Sequence, residues 1–209
     1  WLSYSTSERP QWEDNPPRPD FTINNNHPFV SEVWSIQEKS DMGSGMVLQN
    51  NVLYYTNTNG EIKAVNAYDG SELWSYQTDG KIYSTPFIYK DLVWCASSDS
   101  YLYGINIYDG KQVFKLANDK AVVSSPVCAD DKVMLSGSDG YCRAWNVHTG
   151  EIVWEYDSIN NFVVTRPAVK DGVVYFGSWG NEFYALNIET GMPEWIWNNG
   201  HTNRMLSPA

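Results

Sequence analysis

A segment ending in Gly-x-x-x-Trp, once Gly-x-x-x-Phe, returns about every 40 residues along this chain, which restricts it to a stack of similar units. The copies read AVNAYDGSELW (Ala64 to Trp74), GINIYDGKQVF (Gly104 to Phe114), AWNVHTGEIVW (Ala144 to Trp154) and ALNIETGMPEW (Ala185 to Trp195), with their last residues 40, 40 and 41 apart. Between them lie β-branched and aromatic runs broken by Gly, Asn and Asp. A period of this length with that patterning predicts an all-β propeller in which each repeat supplies a four-stranded antiparallel blade.

The third repeat shows how a blade is written. SSPVCAD (Ser124 to Asp130) reads as the inner strand, KVMLSGS (Lys132 to Ser138) as the second, YCRAWNV (Tyr141 to Val147) as the third and EIVWEYD (Glu151 to Asp157) as the outer one. The joints Asp130-Asp131, Ser138-Asp139-Gly140 and Thr149-Gly150 are residues that bond their own backbone or accept positive φ cheaply. Four such repeats span about residues 43–78, 83–118, 123–158 and 164–199.

The ends break the pattern. Residues 1–30 carry Pro10, Pro16, Pro17, Pro19 and Pro28 and read as a lead-in segment held against a blade by Trp1, Trp12 or Phe21. Residues 31–209 read as blades, with Val33 and Trp34 opening the region as an outer strand. Leu206, Ser207 and Pro208 start a fifth inner strand. Four blades and two stray strands do not close a ring, so a fragment of a propeller of about seven or eight blades is expected. Its open edges could pair with a second copy.

Composition narrows the partners. The 14 Lys and Arg against 25 Asp and Glu give a formal charge of -11, which repels a phosphate backbone. Nucleic acid is therefore not expected. No run reaches the roughly 18 to 20 apolar residues of a membrane span, and the start shows no basic-then-apolar leader. Cys95, Cys128 and Cys142 align with large apolar residues in the sibling repeats, so they are read as core residues rather than as a disulfide or a metal set. His27, His148 and His201 are scattered, and His148 falls in a turn matched by Tyr68, Tyr108 and Glu189. No metal ligands and no catalytic residues are assigned.

The pattern Ala-x-Asn-x-x-(Asp or Thr)-Gly-x-x-x-Trp resembles the tryptophan-docking repeat of quinoprotein-like (pyrroloquinoline quinone repeat) β-propellers, whose usual form has Asp where Asn66, Asn106, Asn146 and Asn187 stand. The segments from Gly172 to Gly191 and from Ser84 to Trp94 are similar to that family's blades too. The resemblance implies that Trp34, Trp74, Phe114, Trp154 and Trp195 pack across onto neighbouring blades, with Gly70, Gly110, Gly150 and Gly191 turning the chain. It implies an extracytoplasmic location, in the periplasm or at the cell surface. Some relatives are quinone- and calcium-dependent oxidoreductases, with adjacent cysteines often beneath the quinone, and this sequence has no Cys-Cys pair. Others are non-catalytic, among them a lipoprotein that scaffolds outer-membrane protein assembly. Trp197 to Ala209 and Val164 to Val169 also resemble propellers attached to calcineurin-like metallophosphoesterases of the bacterial envelope, whose Asp-x-His and Gly-Asn-His motifs are not in this sequence.

The resulting expectation is a non-catalytic module, without a cofactor of its own, that binds a protein or a polar ligand. Two alternatives stand beside it: part of a quinone- and calcium-dependent oxidoreductase, and a structural accessory to a phosphoesterase. The face for binding is the one carrying the outer-to-inner connections and the second-to-third-strand loops. There Arg166 replaces the small Thr85 and Ser125, Trp179 replaces Thr58, Ser98 and Ser138, and His201 and Arg204 join them. Exposed Trp and Arg dominate interaction hot spots. The competing expectation has Trp179 packed on a neighbouring loop and Arg166 paired with an acidic residue across the channel.

Overall fold

The computed structural model describes residues 33–198. The chain divides into two units, Trp1–Val33 and Trp34–Ala209, and the second holds every described strand. The lead-in expected over residues 1–30 and the fifth inner strand expected near Leu206 lie outside the described residues.

Among the described residues sixteen strands form four antiparallel sheets in simple chain order. The first blade contains β1 (Val47–Gln49), β2 (Val52–Thr56), β3 (Glu61–Asn66) and β4 (Glu72–Gln77). The second contains β5 (Phe87–Tyr89), β6 (Leu92–Ala96), β7 (Tyr101–Asn106) and β8 (Gln112–Ala117). The third contains β9 (Val127–Ala129), β10 (Lys132–Ser136), β11 (Cys142–Asn146) and β12 (Ile152–Tyr156). The fourth contains β13 (Ala168–Lys170), β14 (Val173–Gly177), β15 (Glu182–Asn187) and β16 (Pro193–Asn198).

Local chemistry explains the sharp joints. The inner hairpins turn on residue pairs with positive φ at both positions: Asn50 and Asn51, Lys90 and Asp91, Asp130 and Asp131, Asp171 and Gly172. That geometry matches the twist of paired strands and favours Asn, Asp and Gly. At the outer hairpins the Asn side chain supplies the turn. Asn66 Oδ1 accepts from the Tyr68 N–H, Asn106 Oδ1 from Tyr108, Asn146 Oδ1 from His148, and Asn187 Oδ1 from Glu189, all within 3.0 Å. Asn fills the place of the family's Asp because the turn itself needs only an acceptor oxygen.

Cores form between blades. Ile62, Trp74, Val93, Tyr103 and Ile105 join the first blade to the second; Trp94, Leu102, Cys128, Leu135 and Trp145 join the second to the third; Met134, Trp154, Phe176, Tyr184 and Leu186 join the third to the fourth. All three cysteines are free and buried. Burial pushes the Cys142 thiol up to about 12, so it behaves as a small core group.

The docking tryptophans show how adjacent blades lock. The Trp74 indole N–H donates to the Ile107 carbonyl at 2.9 Å and Trp154 to Ile188 at 2.8 Å. Their rings lie so close to the turn glycines that a Cβ on Gly110 or Gly191 would come within 2.8 or 2.6 Å. Trp34 does the same to the first blade, donating to the Ala67 carbonyl at 3.0 Å and lying over Gly70. Residues 33–38 nevertheless form no strand, because no ladder partner for them stands among the described residues. Phe114 lies over Gly150 without a polar bond. Trp195 departs from the expected cross-blade packing: it stacks on Phe183 of its own blade at 5.9 Å and stays 37% exposed, since no following turn glycine is present among the described residues to receive it.

Candidate functional site

The connections entering each inner strand and the loops between second and third strands emerge on one side, tied together in pairs. The Thr58 N–H donates to the Asp41 carbonyl at 2.9 Å, Ser98 to Lys81 at 2.8 Å and Trp179 to Phe162 at 3.0 Å. In the third blade the Ser138 hydroxyl donates to the Ala121 carbonyl at 2.7 Å. Turn acids on this side have structural duties. Asp99 accepts from the Tyr101 N–H and from the Tyr103 hydroxyl, and Asp139 accepts from the Tyr141 N–H and pairs with Arg143 at 2.5 Å.

Trp179 is 64% exposed. Its position is nevertheless fixed, by the backbone bond to Phe162 and by the Phe162 ring, whose centroid lies 4.9 Å away. Half of the competing expectation holds here, since Trp179 does pack on a neighbouring loop; most of the indole still faces solvent.

Arg166 differs from the competing expectation. It reaches across to the second blade, where Nη2 donates to the Pro86 carbonyl at 3.0 Å and the Thr85 carbonyl at 3.4 Å, with the guanidinium 5.7 Å from the Phe87 ring centroid. No carboxylate oxygen among the described residues lies within 4.0 Å of it, so the partner across the channel is backbone and not an acid. Burial pulls its pKa down from the ordinary value, with no neighbouring acid to restore it. His201 and Arg204 lie outside the described residues. The structure therefore brings Arg166 and Trp179 to one face.

A second charged group was not picked out in the sequence. Arg143 on β11 is almost fully buried and holds Asp119 at 2.6 Å, Asp139 at 2.5 Å, Glu155 at 2.7 Å and the Asn118 side chain at 2.5 Å. It fastens the connection entering the third blade to the body of that blade. The signal available was positional: its siblings Lys63, Tyr103 and Tyr184 also bind carboxylates, of Glu38, Asp99 and Glu182. All of these are structural contacts. Among the described residues no three His, Cys, Asp or Glu side chains cluster so as to hold a metal ion, and no helix is long and apolar enough to cross a membrane.

Residues 30–195 match the family model described as outer membrane protein assembly factor BamB. The chain belongs to the BamB family of PQQ-repeat propellers. A search of curated proteins finds no match. Among solved structures, BamB from Moraxella catarrhalis superposes with a TM-score of 0.70 at 19% identity, over 79% of this chain and 56% of that one. The computationally designed Ika4 protein gives 0.69 at 18% identity, over 76% of this chain and 99% of that one. The quinohemoprotein alcohol dehydrogenase ADHIIG from Pseudomonas putida HK5 gives 0.69 at 14%, over 78% and 35%. Identities this low establish the propeller fold, and the chain spans little more than half the length of the BamB structure it matches. A BamB and an alcohol dehydrogenase align about equally well with this BamB-family chain, so the likeness to them is one of fold and does not choose between chemistries.

Proposed function

We propose that this chain is a protein-binding scaffold module that presents the Trp179 and Arg166 face to its partner. The observation that carries the reading is the state of Trp179: a large aromatic ring mostly in solvent, yet held rigid by Phe162. Rigid, exposed aromatic groups lose little conformational entropy on binding, which suits them to anchor an interface. Membership of a family described by an assembly factor supports a scaffolding role and an extracytoplasmic site of action. The role needs no cofactor and no catalytic residue. The oxidoreductase alternative has a likeness of fold behind it, through ADHIIG, and no site residue among those described.

The test compares partner capture by the wild-type chain and by Trp179→Ala, with melting measured in parallel. Lost capture at an unchanged melting temperature supports the recognition face. If capture persists, or falls only together with stability, Trp179 is packing and the reading fails.

A further inference from the structure

Small side chains at the top of each inner strand knit adjacent blades together around the channel. The Gly45 N–H donates to Thr85 Oγ1 at 3.1 Å, and the Thr85 N–H donates to Ser125 Oγ at 2.9 Å. By the repeat, the Ser125 N–H should next donate to a hydroxyl at position 166. Arginine stands there, and a guanidinium has no acceptor. Ser125 is buried, and among the described residues its N–H has no hydrogen-bond acceptor. A backbone donor without a protein acceptor takes its bond from water or from a ligand.

Arg166, at the position whose hydroxyl Ser125 lacks, brings unfilled donors of its own. Only Nη2 is engaged, with the Thr85 and Pro86 carbonyls. That contact clamps the fork and leaves Nε and Nη1 without an acceptor among the described residues. Elsewhere the cations are satisfied: Lys63, Lys90, Lys111, Lys115, Lys132, Arg143 and Lys170 each have a carboxylate within 4.0 Å. The described Lys and Arg that lack one, Lys39, Lys81, Lys120 and Arg166, all stand in connections entering an inner strand, on this same face. Three nearby carboxylates, Asp79, Asp119 and Asp139, are already taken by Lys115 and Arg143.

We infer that Arg166 and the Ser125 backbone N–H form a carboxylate site at the channel mouth, filled by an acidic side chain or free C-terminus of a partner polypeptide. The planar fork of arginine suits a two-oxygen acceptor. A chain of net charge -11 disfavours a polyanion, whereas one carboxylate brings a single charge. The polypeptide source rests on the scaffold reading above; the carboxylate chemistry does not.

Titration calorimetry on the full chain tests this with three probes: an acidic hexaglycine, acetylated so that its free C-terminus is its one charge, its amidated counterpart and sodium acetate. The informative variant is Arg166→Thr, which restores the sibling hydroxyl and the missing acceptor for Ser125, so its melting temperature should hold or rise. The acidic peptide is expected to bind wild type at least tenfold tighter than it binds Arg166→Thr or than the amidated peptide binds wild type. Equal binding in either comparison, or no binding at all, overturns the site. Acetate binding as tightly as the peptide overturns the polypeptide source. The two readings fail separately: a partner kept by Arg166→Thr and lost by Trp179→Ala removes the carboxylate site alone. Peptide bound through Arg166 by a chain whose Trp179→Ala variant keeps every partner removes the aromatic face instead.

Discussion

Trp94 and Phe114 lie stacked in the second blade, ring centroids 5.6 Å apart at 14°, and the pair accounts for the one repeat that lacks its docking tryptophan. Trp94 stands where the other blades have Tyr54, Met134 and Tyr175, and it is completely buried. Room for it comes from Gly104, whose siblings are Ala64, Ala144 and Ala185, and from the smaller ring of Phe114. A Cβ on Gly104 would meet Trp94 at 3.0 Å and Phe114 at 3.2 Å. The three departures from the repeat are one substitution in volume, shared among neighbours.

Gly104→Ala should therefore destabilise the chain by about 1–3 kcal/mol through overpacking. Adding Trp94→Tyr, which recreates the Tyr54 and Ala64 pair of the first blade, should recover part of that loss. Urea unfolding of the two single variants and the double variant gives the coupling. Strict additivity would show that the two sites do not share space.

The positive-φ glycines differ in what they do. Gly191 has φ of 70° and the Trp154 ring where a Cβ would stand, at 2.6 Å; Gly172 has φ of 75° but nothing closer than 3.9 Å. Alanine at Gly172 should cost about 1 kcal/mol for backbone strain alone. At Gly191 it should cost about 3 kcal/mol, because the indole must also move. Thermal melts that rank them the other way would deny the close contact its role.

Acid should unlock the first blade's carboxylate cluster. Burial works against ionisation of Glu38, but hydrogen bonds from Tyr55 at 2.6 Å, Lys63 at 3.1 Å and Asn57 at 3.4 Å outweigh it and hold the carboxyl below its ordinary 4.5. A carboxyl depressed on folding stabilises above its unfolded pKa, and that contribution disappears as the pH falls through the folded value. Wild type should exceed Glu38→Gln in melting temperature near neutrality, with the gap closing as the pH drops below 4.5. A gap that is constant with pH would mean the charge on Glu38 is not what stabilises.

Sequence alone made the blades legible, because strand alternation, Asn and Gly turns and the docking residues are all local or recur at one period. Val127–Ala129 and Cys142–Asn146 fall inside the segments expected for them. What stayed hidden depends on distances between blades. The reach of Arg166 to Thr85 and Pro86 spans 80 residues of sequence and skips a whole blade, so no spacing encodes it. Arg143 was hidden differently: its partners Asp119, Asp139 and Glu155 lie 24, 4 and 12 residues from it, and no single spacing in the sequence brings them together. Trp195 stacks within its own blade, because a docking residue needs a receiving turn that the repeat supplies only from a next blade, and none stands among the described residues.

Trp34 has a bearing on what the blade of β1 to β4 can still receive. A turn glycine accepts an aromatic ring only while the space over it is open. Here the indole of Trp34 already sits on Gly70 and holds the Ala67 carbonyl. The socket of that blade is thus plugged from within its own chain, and any other ring would first have to evict the plug.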